Sequence, residues 1–222
     1  MNKEKTLVIG GTGSLGKTLV KKLVKKGHDV ICTSTSPKKN DTSYLNFEDK
    51  NSIKILSQSI DKINHLIFTS GYEPKLSLEE YDSSHARKMF NIHVISPLNI
   101  VSQLKDKIIN GGSIIFISSV AAYKGSYDPA YAAAKGAINA MTRSLAKELA
   151  PDLRVNAIAP SLVYDSKVYK GMTSDFRTNH LNDTLLKKFL STNECSDSIM
   201  FLMNNNHITG EILQINGGQY FV

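Results

Sequence analysis

Short apolar runs rich in Val, Ile and Phe alternate along this chain with longer segments of helical period, and that alternation limits the possible folds most strongly. Thr6 to Gly10, Val30 to Thr33, Leu66 to Ser70, Ser113 to Ser118, Arg154 to Ala159 and Ile212 to Ile215 read as strands. They lack the polar alternation of a half-exposed strand, which is the pattern of parallel strands covered on both faces by helices. The expectation is an α/β fold with a doubly wound parallel sheet. At 222 residues the chain is long enough for one substantial core and nothing in it reads as a linker, so residues 1–222 are expected to form a single domain.

The first strand runs into Gly10-Gly-Thr12-Gly13-Ser14-Leu15-Gly16 and then a helix. Glycines there let the chain turn tightly and let the backbone approach a pyrophosphate, which free N–H groups and the positive helix end would hold. Glycine also serves helix–strand packing, so the turn gains weight from its place between strand and helix. On that helix Leu15, Leu19, Leu23 and Val24 form the expected buried stripe, leaving Lys17, Lys21, Lys22, Lys25 and Lys26 as a solvated face. The formal net charge of +7 is otherwise dispersed, so no nucleic-acid partner is expected.

No apolar run approaches the roughly 20 residues a membrane span needs, so no membrane partner is expected. Cys32 and Cys195 have no metal-type spacing, and a strand begins by Thr6 without room for a signal sequence. The expected location is cytoplasmic.

The end of the second strand reads Thr33-Ser34-Thr35-Ser36, followed by Lys38 and Lys39. Enzymes that prefer NAD(H) usually place an acidic residue there to hold both ribose hydroxyls. Hydroxyls and cations suit a 2'-phosphate better, so NADP(H) is favoured over NAD(H), the other reading being a polar turn. Further along, Tyr131 and Lys135 stand four residues apart and therefore share a helix face, with Ser118-Ser119 before them at the end of a strand. A lysine beside a tyrosine favours the phenolate; bringing a phenol to work near neutral pH takes a downward shift of about two to three units.

With these pieces in one order, and with Arg154-Val-Asn-Ala-Ile-Ala-Pro160 after the helix, the chain resembles the short-chain dehydrogenase/reductase family over nearly its full length. The resemblance implies a Rossmann-type sheet, a nicotinamide cofactor and a small-molecule carbonyl or alcohol substrate. A substrate linked to a carrier protein is one form, since members reducing 3-oxoacyl-carrier thioesters share this layout. It implies Tyr131 as acid and base, Lys135 holding the nicotinamide ribose and lowering the tyrosine pKa, and Ser119 orienting the carbonyl, with Ser118 as the alternative. A homotetramer or homodimer is implied as well, the segment Thr209 to Gly218 resembling a closing strand that often packs across a dimer axis.

Departures from the family pattern are specific. Ser14 stands where glycine is usual, though Gly10, Gly13 and Gly16 keep a workable turn. Phe68-Thr69-Ser70-Gly71 replaces an Asn-Asn-Ala-Gly run, leaving backbone contacts from Ser70 and Gly71. Asn46, before Phe47, takes the place of an aspartate that meets the adenine amino group. His93, rather than Asn91, falls at the asparagine that supports a proton-relay water; either an altered relay or a packed histidine follows. Pro160-Ser161 replaces Pro-Gly, and Leu162 and Val163 match residues whose backbone meets the nicotinamide carboxamide.

The segment Tyr164 to Ser191 should cover the substrate, and its Lys167, Lys170, Arg177, His180 and Lys187 suit either an acidic substrate or carrier, or a solvated flap. Ser119, Tyr131 and Lys135 point to an oxidoreductase. The alternative, kept open by Phe68-Thr69-Ser70 and His93, is a dinucleotide-binding sensor or partner protein of weak or no turnover.

Overall fold

The computed structural model describes residues 3–36, 42–73 and 76–221. In chain order the elements are β1 (Lys5–Ile9), α1 (Ser14–Lys25), β2 (Asp29–Ser34), β3 (Thr42–Tyr44), α2 (Lys50–Ser59), β4 (Ile63–Phe68), α3 (Ser83–Phe90), α4 (Ser96–Leu104), β5 (Ile108–Ile117), α5 (Ala121–Lys124), α6 (Pro129–Leu149), β6 (Arg154–Pro160), α7 (Lys167–Lys170), α8 (Ser174–Asp183), α9 (Thr192–Asn204) and β7 (Ile212–Ile215). The seven strands form one sheet in the order β3-β2-β1-β4-β5-β6-β7, every neighbouring pair parallel. The six expected strands are present within a few residues of their expected ends, and β3 is an addition. Its three residues are too short to show a period.

Alternate residues of each strand enter two separate cores, as the two-residue period of a strand requires. Leu7, Leu66, Ile114 and Ala157 pack on one face with Ile53 and Leu56 of α2, Ile100 and Leu104 of α4 and Ile138 and Leu145 of α6. Val8, Ile67, Ile115 and Ile158 pack on the other with Leu19 and Leu23 of α1 and Cys195, Ile199 and Leu202 of α9. Each fully buried aliphatic side chain contributes about 1.5 to 3 kcal/mol of transfer free energy. This explains the continuous apolar runs: a strand covered on both sides has no face to leave polar.

The α1 stripe differs from expectation at one place. Leu19 and Leu23 are buried, whereas Val24 is 57% exposed, because it lies one step round the helix from the packed face. Lys17, Lys21, Lys25 and Lys26 are exposed as expected, and Lys22 pairs with Asp197 of α9 at 2.5 Å. Cys195 is a free thiol, and burial pushes it up to about 12. Among the described residues no helix is long and apolar enough to cross a membrane, and no cluster of His, Cys, Asp or Glu could hold a metal.

Winding reverses between β1 and β4: the chain passes outward from β1 to β2 and β3, then returns to β4 on the other side. A crevice opens at the carboxyl ends of the strands at such a reversal.

Candidate active site

The glycine turn after β1 lies at this crevice. Gly10 has φ +79° and a Cβ there would stand 2.7 Å from the backbone nitrogen of Ser70, so the turn requires glycine on two counts. At Gly16 a Cβ would come within 2.3 Å of the Gly10 carbonyl oxygen. Gly13 is different. It caps α1 with φ −70° and no side-chain bond, and an added Cβ would meet only Gly10 O at 3.4 Å. The protein's own packing leaves that side of the turn open.

The first turn of α1 holds no acidic residue, and the N–H groups of Ser14, Leu15 and Gly16 have no acceptor within the helix. The end is therefore suited to an anion. Beside it Thr12 donates to Ser34 Oγ at 3.1 Å, and Ser34 Oγ also accepts from Ser36 N–H at 3.1 Å, while Thr35 is exposed. Lys38 and Lys39, the cations expected here, lie outside the described residues.

Asn46 Oδ1 accepts from Glu48 N–H at 3.0 Å, and the Phe47 carbonyl accepts from Asn91 Nδ2 at 3.0 Å and Ser96 Oγ at 3.2 Å. Part of the acceptor capacity expected of Asn46 is thus used locally. Ser70 and Gly71 follow β4 beside the glycine turn. Pro160 ends β6 with its carbonyl accepting from Val120 N–H at 3.0 Å, Leu162 is buried and Val163 pairs with Leu190.

The reactive side chains approach from α6 and β5. Asp128 caps α6: its Oδ1 accepts from Tyr131 N–H at 3.0 Å, and Pro129 fills the first helical position, where an N–H would have no partner. Tyr131 and Lys135 then face inward one turn apart. The Ser119 hydroxyl acts on the Tyr131 phenol in the sense that lowers its pKa, and Ser119 Oγ accepts from Ala121 N–H at 3.1 Å. Ser118 points elsewhere, donating to Asn139 Oδ1 at 2.5 Å and lying 3.3 Å from the Lys135 carbonyl. Ser119, and not Ser118, is the serine brought to the phenol.

Lys135 Nζ donates to Ile117 O at 2.8 Å, faces His93 Nδ1 at 3.4 Å and sits 5.5 Å from the Tyr131 ring centroid. Burial pushes this amine down to about 8, with the Glu73 carboxylate working in the opposite sense. The expected lowering of the tyrosine pKa is not what the geometry gives. Tyr131 is held above its ordinary value, by burial first and then by the charge of Glu73, with a smaller push from Asp128; only the Ser119 bond works downward. Lys135 is turned toward a carbonyl and an imidazole, and desolvation with two carboxylates sets the sign of the tyrosine shift.

His93 occupies a π-helical turn, Asn91–Ile95, between α3 and α4, a local widening of the helix that often accompanies functional positions. It is buried, and burial followed by the Lys135 cation brings it down to about 3. The ring is therefore neutral. Its Nε2 lies 2.9 Å from Tyr72 O and 3.3 Å from Tyr72 N. A proton on Nε2, assigned from these partners, donates to the carbonyl and leaves Nδ1 to accept from Lys135. Asn91 bonds Phe47 and Ser96, away from the lysine.

Two residues of this site were not singled out in the sequence. Glu73 and Asp128 lie in loops where a lone carboxylate carries no pattern; Asp128 before Pro129 had a helix-start signal that would have found it. The covering segment uses its own cations: Arg177 donates to Tyr169 O and Lys170 O and stacks 4.5 Å from the Tyr169 ring, and Lys187 donates to Asn182 O at 2.6 Å. Lys167 and Lys170 are exposed, and His180 is half-buried near Gln219.

A doubly wound sheet with a glycine-rich anion cradle at its winding reversal, and a phenol and amine beside it, defines the class of Rossmann-type dinucleotide oxidoreductases. The chain belongs to the short-chain dehydrogenase/reductase family. The family model described as enoyl-(acyl carrier protein) reductase matches residues 46–219. An uncharacterized oxidoreductase of Bacillus subtilis is 27% identical over 98% of this chain and 99% of its own length. The 3-oxoacyl-[acyl-carrier-protein] reductase of Buchnera aphidicola is 29% identical over 100% of this chain and 99% of its own. A solved small-chain dehydrogenase in complex with NADPH superimposes with a TM-score of 0.84 at 27% identity, over 98% of this chain and 99% of that one.

Proposed function

We propose that this oxidoreductase interconverts a carbonyl and an alcohol with NADP(H), using Tyr131 as acid and base. The observation that carries the reading is the half-buried Tyr131 on α6 with the Lys135 amine one helical turn away, 5.5 Å from the ring centroid, and Ser119 acting on the phenol from the end of β5. Bound at this crevice, a nicotinamide would supply or accept the hydride. Backbone N–H groups of Ser14, Leu15 and Gly16 would hold its pyrophosphate against the open side of Gly13, with Gly10, Thr12 and Gly16 shaping the turn. The hydroxyls of Ser34 and Thr35 fit a 2'-phosphate, and Asn46 and Phe47 lie where the adenine would. Ser70, Gly71, Pro160, Leu162 and Val163 would line the remainder, with Tyr131 and Lys135 at the ribose and nicotinamide.

A phenol held above its ordinary pKa is protonated at neutral pH, which is the form that donates to a carbonyl oxygen during reduction. The Ser119 hydroxyl offers a second donor to the same oxygen. Lys135 supplies positive charge as proton density leaves the phenol. His93 positions Lys135 as an acceptor, since its other nitrogen ends on the Tyr72 carbonyl. A 3-oxoacyl thioester is a substrate of the right chemistry, the Buchnera relative being named for one. Ile95 and Leu98, both exposed, offer an apolar patch to a second copy, in keeping with a homodimer or homotetramer.

Consumption of NADPH with a panel of ketones, acyl thioesters and quinones tests the reading. Turnover should fall about 10²- to 10⁴-fold in Tyr131→Phe. Tight NADPH binding without reduction of any carbonyl compound would support the sensor alternative instead, and higher affinity for NADH would overturn the cofactor assignment.

A further inference from the structure

The covering segment is held lightly along its length and firmly at its ends. Neither α7 nor α8 buries a residue. Arg177, bonded to Tyr169 O, and the edge-on packing of Tyr169 against Phe189 at 5.2 Å between ring centroids join the segment to itself. Toward the rest of the protein α8 offers the Lys124–Asp183 ion pair at 2.9 Å, both side chains partly exposed, and the Phe176 ring edge-on to the exposed Tyr127 at 6.2 Å. Contacts so open to water give a segment low local stability.

Its two ends meet. Val163 pairs with Leu190, and Tyr164 N–H donates to Leu190 O at 2.9 Å. Beside them Asp165 Oδ1 accepts from Thr192 N–H at 2.9 Å and Asp165 Oδ2 from the Thr192 hydroxyl at 2.6 Å. Thr192 opens α9, so its N–H has no acceptor within the helix, and the positive helix end favours a carboxylate there. The hydroxyl has one proton and gives it to Asp165, at a length usual for a bond to a charged oxygen. Thr192 Oγ1 therefore accepts from the hydroxyl of Thr18 on α1, 2.9 Å away. Thr192 is buried, which shields these bonds from water. The run from Thr18 through Thr192 to Asp165 thus has one direction, and it roots the covering segment on the helix whose first turn would hold the pyrophosphate. Lys22 Nζ, donating to Asn193 O at 3.0 Å, ties α1 to α9 on the next turn.

We propose that Asp165 is a positioning residue: with Thr192 and Thr18 it clamps both legs of the covering segment to the cofactor helix, so that the segment moves over the site as one body about this clamp and closes on the substrate in one place. This rests on the carbonyl–alcohol reading above. Loosening the clamp lets the closed segment settle in several places, which weakens substrate binding and leaves the reacting groups on α6 and β5 where they are.

Two variants cut the clamp with little change of shape. Thr192→Val keeps the N–H bond and removes both hydroxyl bonds, Asp165→Asn loses the acceptor for the hydroxyl, and Thr192→Ser restores the whole run. Hydrogen exchange of the NADPH-loaded enzyme reads the clamp without turnover. Amides of residues 166–189 should exchange roughly tenfold faster in Thr192→Val and Asp165→Asn, the size of one lost bond to a charged group, with those of β4, β5 and β6 unchanged and Thr192→Ser like the wild type. With a ketone that is reduced, KM should rise by a similar factor while kcat and the Kd for NADPH stay within about twofold. Wild-type exchange in the segment of whichever variant folds overturns the proposal, and so does a sheet that quickens by the same factor, which would mark a contact that serves stability only. Faster segment exchange in an enzyme that reduces no carbonyl compound supports the clamp and counts against the carbonyl reading; a reduced ketone whose KM is unchanged overturns the clamp and leaves that reading standing.

Discussion

Ser118 and Ser119 are neighbours in sequence with unlike surroundings. Ser118 satisfies Asn139 in the interior, whereas Ser119 reaches the phenol. Ser118→Ala should cost about 1 to 3 kcal/mol of stability by leaving the buried Asn139 amide short of a partner, read as a lowered urea midpoint. Ser119→Ala, which takes the acceptor from the Ala121 N–H, should lower the midpoint as well but differ from Ser118→Ala in lowering kcat about 10²-fold, read with any reduced ketone. If Ser118→Ala and not Ser119→Ala carries the kcat loss, the placement is wrong. The pH profile belongs to this scale too. Lys135 sits near pH 8, so its ammonium is present below that value and lost above it. For reduction, kcat/KM should fall as pH rises through about 8, and a profile flat well beyond that would show that its charge is not needed. The tyrosine-lysine pair was legible because an i, i+4 spacing is local. The sign of the tyrosine shift was not, because Glu73 and Asp128 reach the phenol from loops that only the fold brings together.

At the scale of elements, the glycine turn separates structural glycines from one kept open for a ligand. Gly16 has the Gly10 carbonyl 2.3 Å from where a Cβ would stand, and backbone cannot step aside cheaply. Gly16→Ala should therefore destabilise the protein by about 1 to 3 kcal/mol, seen as a lowered melting temperature. Gly13→Ala meets no such obstacle and should melt like the wild type while binding NADPH more weakly, seen by fluorescence titration. Retained affinity would remove Gly13 from the cofactor site. The strand and helix pattern was readable because each buried strand is a run of apolar residues flanked by turns. What escaped was short or marginal: β3, with three residues, and the exposure of Val24, which depends on how α1 rotates against α9.

Across the whole molecule, the doubly wound parallel class was carried by the alternation of apolar runs and helices, but the strand order and the groups brought together at the amino ends of the strands were not. There His65 of β4 and His28, just ahead of β2, both face Glu4, at 3.5 and 3.6 Å. His65 is buried, its Nδ1 lies 2.8 Å from Ser113 Oγ, and burial, only partly offset by Glu4, brings it down to about 4. The native state thus resists a proton that the unfolded chain accepts near pH 6.5. Stability is present above that value and is lost as pH falls from about 6.5 toward about 4, by up to about 3 kcal/mol from this residue alone. His93 acts in the same sense from the other end of the sheet. Urea midpoints should accordingly drop between about pH 7.5 and about pH 4.5, and the drop should be smaller in His65→Gln, which cannot take up the proton. Carboxylates contribute to the slope of both proteins equally, so the difference between the two slopes isolates the histidine; parallel slopes would show that His65 is protonated in the folded state.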